Sequence, residues 1–101
     1  MSLQLRVKKL HKDAIIPTKA HSTDMCYDLY AVKDTRIPSS GGRAYVSTGI
    51  ALGLPEGFGA KISGRSGFSE QQQCMTGAGE IDPDYRGEVK VLVFNFSAYP
   101  L

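Results

Sequence analysis

Gly79-Glu80-Ile81-Asp82-Pro83-Asp84-Tyr85-Arg86-Gly87-Glu88 is the stretch on which the reading of this chain turns. It predicts a strand, a Pro-Asp turn and a return strand. Pro83 presets φ for a turn position, and Asp84 can bond its own backbone beside it. Such a hairpin holds the carboxylate of Asp82 and the ring of Tyr85 in one element. It also leaves edge-strand amides and carbonyls able to pair with a flat heterocycle. A carboxylate, an aromatic face and backbone amides together suit a nucleoside pocket.

Outward from this stretch, a period of two dominates. Leu3, Leu5 and Val7 alternate with Gln4, Arg6 and Lys8 as a first strand, and Tyr27 to Ala31 reads as a short second one. Ile37 to Gly42 is a turn region leading into Ala44, Val46 and Thr48 on one face of a third strand, continued by Ile50, Leu52 and Leu54. Pro55-Glu56-Gly57 is a further turn, after which Phe58, Ala60 and Ile62 alternate with small or polar residues. Ser69-Glu70-Gln71-Gln72 fits a capping box, predicting at most a short helix near residues 67 to 75. Val89 to Phe96 is apolar on both faces and so predicts a strand covered on both sides. The second cover is either its own sandwich or another subunit. Many short strands punctuated by Gly and Pro indicate an all-β, jelly-roll-like domain.

The 101 residues are expected to form one domain over 1–101. Net charge is +2, with Lys and Arg spread along the chain, so no basic stripe argues for nucleic acid. A substrate carrying several phosphates would need only a few placed cations. No apolar run has membrane length, and the alternating N-terminus does not read as a signal peptide. Cys26 and Cys74 form no metal pattern, and reduced thiols in a cytoplasmic or otherwise intracellular protein are expected. His11 and His21 lack partner carboxylates at metal-like spacing. Lys8, Lys9 and Lys12 read as a solvated face.

Gly64-Arg65-Ser66-Gly67-Phe68 precedes the expected helical turn. Glycines there let the backbone approach an anion, amides at a helix start point toward it, Ser66 adds a hydroxyl and Arg65 a fork of donors. An ordinary turn would have the same composition. Likewise Asp28, within Tyr27-Asp28-Leu29-Tyr30, reads by itself as a strand-end aspartate.

Taken together, these segments resemble the trimeric deoxyuridine triphosphatases (dUTPases). The uracil-binding hairpin of that family reads G-x-I-D-x-D-Y-R-G, its phosphate segment P-R-S-G-L and its first motif A-G-Y-D-L. The interval from Arg65-Ser66 to Ile81-Asp82 matches the family's without a gap. The resemblance runs from about Leu3 to Phe96 and implies a dUTPase β-clip barrel, Mg²⁺ as cofactor and a homotrimer. It also implies roles. Asp82 would orient and activate the attacking water and touch the 3′-hydroxyl. Tyr85 would stack on the deoxyribose, and Gly79 and Ile81 would contribute to the uracil pocket. Arg65, Ser66 and Gly67 would contact phosphates. Asp28 would hold a magnesium ion bound to the triphosphate. Mg²⁺ keeps several waters and takes one or two carboxylates plus substrate phosphates, so a single Asp28 suffices chemically.

Three departures stand out. Gly64 replaces the family's proline, which loosens the loop, and Phe68 replaces leucine. Met25-Cys26 replace Ala-Gly, which predicts a shifted backbone or a narrowed site beside Asp28. The family continues into a G-D-R-I-A-Q-L segment and a G-F-G-S-T-G arm, whereas this sequence stops at Ala98-Tyr99-Pro100-Leu101, so it is expected to be C-terminally short. The leading expectation is hydrolysis of dUTP to dUMP and pyrophosphate. A binding remnant of the same fold, holding a nucleotide or a protein without turnover, is the alternative. Deamination of dCTP ranks third, because Leu92 stands where the deaminases carry a proton-transferring glutamate.

Overall fold

β6 (Glu88–Asn95) lies at the centre of the main sheet of the computed structural model, which describes residues 4–65, 69 and 71–101. One edge of β6 pairs antiparallel with β2 (Gly42–Gly53) and the other with β4 (Cys74–Gly77). β1 (Arg6–Lys9) extends the sheet on the far side of β2, giving the order β1-β2-β6-β4. A second, two-stranded sheet pairs β3 (Ala60–Lys61) with β5 (Glu80–Ile81). The protein is thus all-β, as the alternating pattern predicts.

β2 shifts its register against β6 partway along its length. Ser47 pairs with Lys90 and Ala51 with Glu88, so β2 advances four residues while β6 steps back two. The two extra residues form a bulge. Thr48 donates its hydroxyl to the Val89 carbonyl at 2.6 Å, and Gly49 donates its N–H to the Glu88 carboxylate at 3.0 Å. On the opposite side the Gly49 carbonyl accepts the Leu10 N–H at 2.7 Å. Beyond the bulge, Ile50 to Gly53 pair with β1. Gly49 has a φ of +71°, and a Cβ placed there would lie 3.0 Å from that of Ala14 and 3.2 Å from His11 and Val32. Only glycine meets both demands without strain. The buried cluster Ala14, Ile50, Leu52 and Val89 gathers around this joint, with Val7, Leu29, Val32, Ile62 and Ile81 packed against it.

Asn95 closes the other end of β6. It is fully buried and uses its whole amide: Nδ2 donates to the carbonyls of Ile37 and Tyr99 at 3.2 and 2.8 Å, and Oδ1 accepts the Ser97 N–H and hydroxyl at 3.0 and 2.8 Å. Ile37 and Leu101 exchange main-chain hydrogen bonds at 3.0 Å, fastening the last residues onto the entry to β2.

Two expectations are corrected, and two others are made more specific. Tyr27 to Ala31 forms no strand; among the described residues its only ladder contact is a single bridge between Thr18 and Asp28. The short helix expected near residues 67 to 75 is present among the described residues. Ser69, Gln71 and Gln72 are helical, Gln73 turns left-handed at a φ of 52°, and Cys74 already opens β4. β5 and β6 do not pair as a hairpin; β5 pairs with β3 in the second sheet instead. Of the two covers left open for β6, its own chain supplies only part. Val89 and Asn95 are buried, but Val91 to Phe94 are only half-buried. Tyr45, opposite Leu92, and Met75, opposite Phe94, share a face with Phe96, and these three are 58%, 52% and 54% exposed.

Both cysteines are free, Cys26 exposed and Cys74 buried. Among the described residues no helix is long and apolar enough to cross a membrane.

Gly49→Ala is expected to destabilise the protein by about 1–3 kcal/mol, the usual cost of holding a non-glycine residue in the left-handed region. Urea denaturation of the two proteins side by side measures it, and equal midpoints would remove the bulge from its place in the fold.

Candidate functional site

The turn after β5 is built as its sequence dictates. The Tyr85 N–H donates to the Asp82 carbonyl at 3.1 Å, closing a four-residue turn with Pro83 at its second position. Arg86, which the sequence reading did not single out, locks this turn. Its Nη1 donates to the Pro83 carbonyl at 2.6 Å and to the Tyr85 carbonyl at 3.3 Å. The missed signal is the spacing: a long fork of donors three residues after Pro83 reaches back over the turn's own carbonyls.

Asp82 stands at the start of the turn, exposed, and among the described residues its carboxylate has no hydrogen-bond partner. It is therefore able to accept a proton or a hydrogen bond from a bound molecule. Tyr85 is 46% exposed and is fixed at two points. Its hydroxyl donates to the Glu88 carbonyl at 2.9 Å, and its ring lies over Gly87, where an added Cβ would meet Oη at 2.6 Å and Cζ at 2.8 Å. Gly87 is thus the floor on which the ring rests.

Since β5 and β6 splay apart, β5 keeps one edge unpaired. The Gly79 carbonyl accepts the Ile62 N–H at 2.8 Å, so that residue's carbonyl faces β3. The alternation of an antiparallel ladder then turns Ile81 toward β3 and the main-chain groups of Glu80 toward the open edge. Glu80 is a second residue the sequence reading missed, and the odd-even alternation from Gly79 would have found it. Gly79 itself approaches β3 closely, with an added Cβ only 2.5 Å from the Ile62 carbonyl oxygen.

Beside this edge lies a groove of about 710 Å³ between β3, β4 and β5, walled by Ile62, Gly64, Ser69, Thr76, Gly79 and neighbouring residues. Arg65 follows Gly64 directly and is exposed, and its carbonyl accepts the Ser69 N–H at 2.8 Å. The Ser69 hydroxyl fills the space that a Cβ on Gly64 would take, at 2.6 Å from that point. The glycine is therefore matched to Ser69, beyond simply loosening the loop. Ser66 and Gly67 lie outside the described residues, as does Phe68. The groove thus joins Gly79 to the approach of Arg65, whereas Asp82 and Tyr85 stand outside its lining.

Asp28 is half-buried. Its main-chain N–H and carbonyl are bonded to Thr18 at 2.6 and 3.4 Å, which leaves its carboxylate without a hydrogen-bond partner among the described residues. Thr18 is held in turn by a hydrogen bond between its hydroxyl and that of Tyr30. Met25 is 96% exposed and Cys26 is exposed, so neither side chain is wedged into the interior beside Asp28. No three His, Cys, Asp or Glu side chains gather into a metal cage among the described residues.

An all-β scaffold that splays an acidic Pro-Asp turn away from a central strand, beside a groove with an open strand edge, defines a class that comparison then narrows. The dUTPase family model matches residues 12–100. The probable deoxyuridine 5′-triphosphate nucleotidohydrolase of Schizosaccharomyces pombe is 44% identical over 91 residues, covering 90% of this chain and 64% of that protein. The deoxyuridine 5′-triphosphate nucleotidohydrolase of Yarrowia lipolytica is 43% identical, covering 94% and 60%. Among solved structures, a variant dUTPase from phage phi11 of S. aureus superposes with a TM-score of 0.86 at 28% identity, covering 93% of this chain and 61% of that one. That structure addresses the coordination of a structural Mg(II) ion. A variant of the Staphylococcus bacteriophage 80alpha dUTPase with dUpNHpp superposes at 0.83 with 30% identity, covering 93% and 60%. The chain belongs to the dUTPase family. It spans about three fifths of the length of these relatives.

Gly87→Ala is expected to push the Tyr85 ring off its floor. Nucleotide affinity should fall about tenfold or more, the scale of losing one packed or hydrogen-bonded contact, while the fold is retained. Calorimetric titration with dUMP, alongside far-UV spectra, checks it; unchanged affinity would separate Tyr85 from the nucleotide.

Proposed function

We propose that this chain hydrolyses dUTP to dUMP and pyrophosphate, and that the turn from Asp82 to Tyr85 is its catalytic element. The observation that carries this reading is the free carboxylate of Asp82 beside a ring pinned at two points, in a member of the dUTPase family. Water attacks the α-phosphorus, a new P–O bond forms, the bond to the bridging oxygen breaks, and pyrophosphate leaves. Asp82 orients that water and takes its proton, a role suited to an accessible carboxylate. Tyr85 faces the deoxyribose and leaves no space for a 2′-hydroxyl. The open edge of β5, between Gly79 and Ile81, reads the uracil through main-chain groups. Arg65, Ser66 and Gly67 hold the phosphates.

The single carboxylate of Asp28 fits a substrate-borne ion. One carboxylate that has neither partner nor cage among the described residues suits Mg²⁺ that arrives with phosphates and waters. When bound, Mg²⁺ spreads the charge of the triphosphate. Asp28 would hold it, and its main-chain bonds to Thr18 would keep the carboxylate in place.

The uncovered sheet face supports assembly into a homotrimer. Leaving Tyr45, Leu92, Phe94, Met75 and Phe96 in water costs about 1.5–3 kcal/mol per large side chain relative to burial. A closed symmetric assembly relieves that cost. An intracellular location agrees with two free thiols. Deamination is not favoured, because Leu92 offers no proton and sits opposite Tyr45 in the sheet.

Incubation with dUTP and Mg²⁺ should release pyrophosphate. Asp82→Asn should lower turnover by about 10²–10⁴ while sparing dUMP binding, since the amide keeps the shape but does not accept the proton. Tight dUMP binding without pyrophosphate from the unmodified protein would point to a binding module, and unchanged turnover in the variant would remove Asp82 from the chemistry. Light scattering at micromolar concentration should give three times the chain mass, and a clean monomer would overturn the assembly.

A further inference from the structure

Glu88 connects two parts of the molecule that lie far apart in sequence. Its carboxylate accepts the N–H of Gly49 inside the β2 bulge at 3.0 Å, and its own carbonyl accepts the Tyr85 hydroxyl at 2.9 Å. Gly49 is buried, so its N–H needs an acceptor from within the protein, and an ionised oxygen makes the stronger bond. Glu88 is also the first residue of β6, in register with Ala51 on the far side of the bulge. Its peptide is therefore held by its side chain and by the ladder at once.

Tyr85, in contrast, has few restraints. Nearly half exposed, it rests on Gly87 and is tied by its hydroxyl to Glu88. The floor fixes the height of the ring, and the hydroxyl bond fixes its swing. Whatever holds the Glu88 carbonyl therefore sets the angle of the ring, and the carboxylate on Gly49 holds it together with the ladder to Ala51.

We propose that Glu88 is a positioning residue that ties Tyr85 to the β2 bulge and thereby sets discrimination between deoxyribose and ribose; this rests on the reading of Tyr85 as the ring that faces the sugar. A carboxylate that served only to satisfy a buried N–H would affect stability and leave the ring where it is.

The test compares the full chain with Glu88→Gln, Glu88→Asp, Glu88→Ala, Tyr85→Phe and the Glu88→Ala/Tyr85→Phe double variant. The ring resonances of Tyr85 are followed by NMR, and dUMP and UMP affinities by calorimetry. Glu88→Gln keeps an acceptor at the same reach and should preserve both ring shifts and preference. Glu88→Asp, one methylene short, and Glu88→Ala should move the ring resonances and reduce the preference for dUMP about five- to tenfold, the scale of one hydrogen bond. Tyr85→Phe should lose as much, and the double variant no more than either, as members of one linkage behave. Wild-type ring shifts and preference in a folded Glu88→Asp or Glu88→Ala protein would overturn the proposal, as would additive losses in the double variant. Should the unmodified protein bind neither nucleotide, the substrate reading falls. The tether is then decided by the ring shifts alone: moved by Asp or Ala and kept by Gln supports it, and unmoved overturns it.

Discussion

Two extra residues in β2 govern how the rest of the chain is arranged. A regular strand would keep one register with β6 along its whole length while its other edge paired with β1. At Thr48 and Gly49 the hydrogen-bonding groups are redistributed: the Thr48 hydroxyl and Gly49 N–H serve β6, and the Gly49 carbonyl serves Leu10. Bulges of this kind increase local twist and re-aim the chain. Here the effect is to bring Ile50 and Leu52 onto Val89 and Ala14, which together form the buried centre. Glycine is required because the same residue must be left-handed and in contact with Ala14.

The central position of β6 follows from this arrangement, and the candidate site follows from β6. β6 pairs with β2 and β4 in one sheet, and β5 pairs with β3 in the other. The chain between them must therefore span from one sheet to the other. Asp82 to Gly87 form that span, held by a turn bond, by Arg86 and by the Tyr85 hydroxyl. Splaying leaves one side of β5 unpaired, and unpaired strand edges readily take up a planar partner with matching donors and acceptors. A paired hairpin of the same sequence would have consumed those groups.

Much of the site was legible as residues and little of it as geometry. The Pro-Asp turn could be read from Pro83 because a fixed φ and a missing N–H have few uses. Asp82 and Tyr85 could be named because the turn presents them whatever surrounds it. Arg86, Gly87, Glu88 and Glu80 escaped for different reasons. Arg86 binds carbonyls of its own turn, and Gly87 matters only once the ring lies over it. Glu88 acts on a residue 39 positions away. Glu80 depends on which way the β3–β5 ladder alternates. Tyr27 to Ala31 shows the converse: its composition suits a strand, but outside the Thr18–Asp28 bridge it is offered no partner.

Local rules thus determined the all-β class, the turns at Ile37 to Gly42, at Pro55 to Gly57 and at Asp82 to Tyr85, and the identity of the acidic and aromatic side chains. Backbone preference and side-chain period act over a few residues, so they are written in order along the chain. Tertiary structure alone decided that β6 is central, that β5 turns away to β3, and that the bulge reaches Tyr85 through Glu88. Each of these is a choice among competing partners for the same hydrogen-bonding groups. Such a choice is settled by burial around Ala14, Ile50, Leu52 and Val89, residues that meet only after the chain has folded.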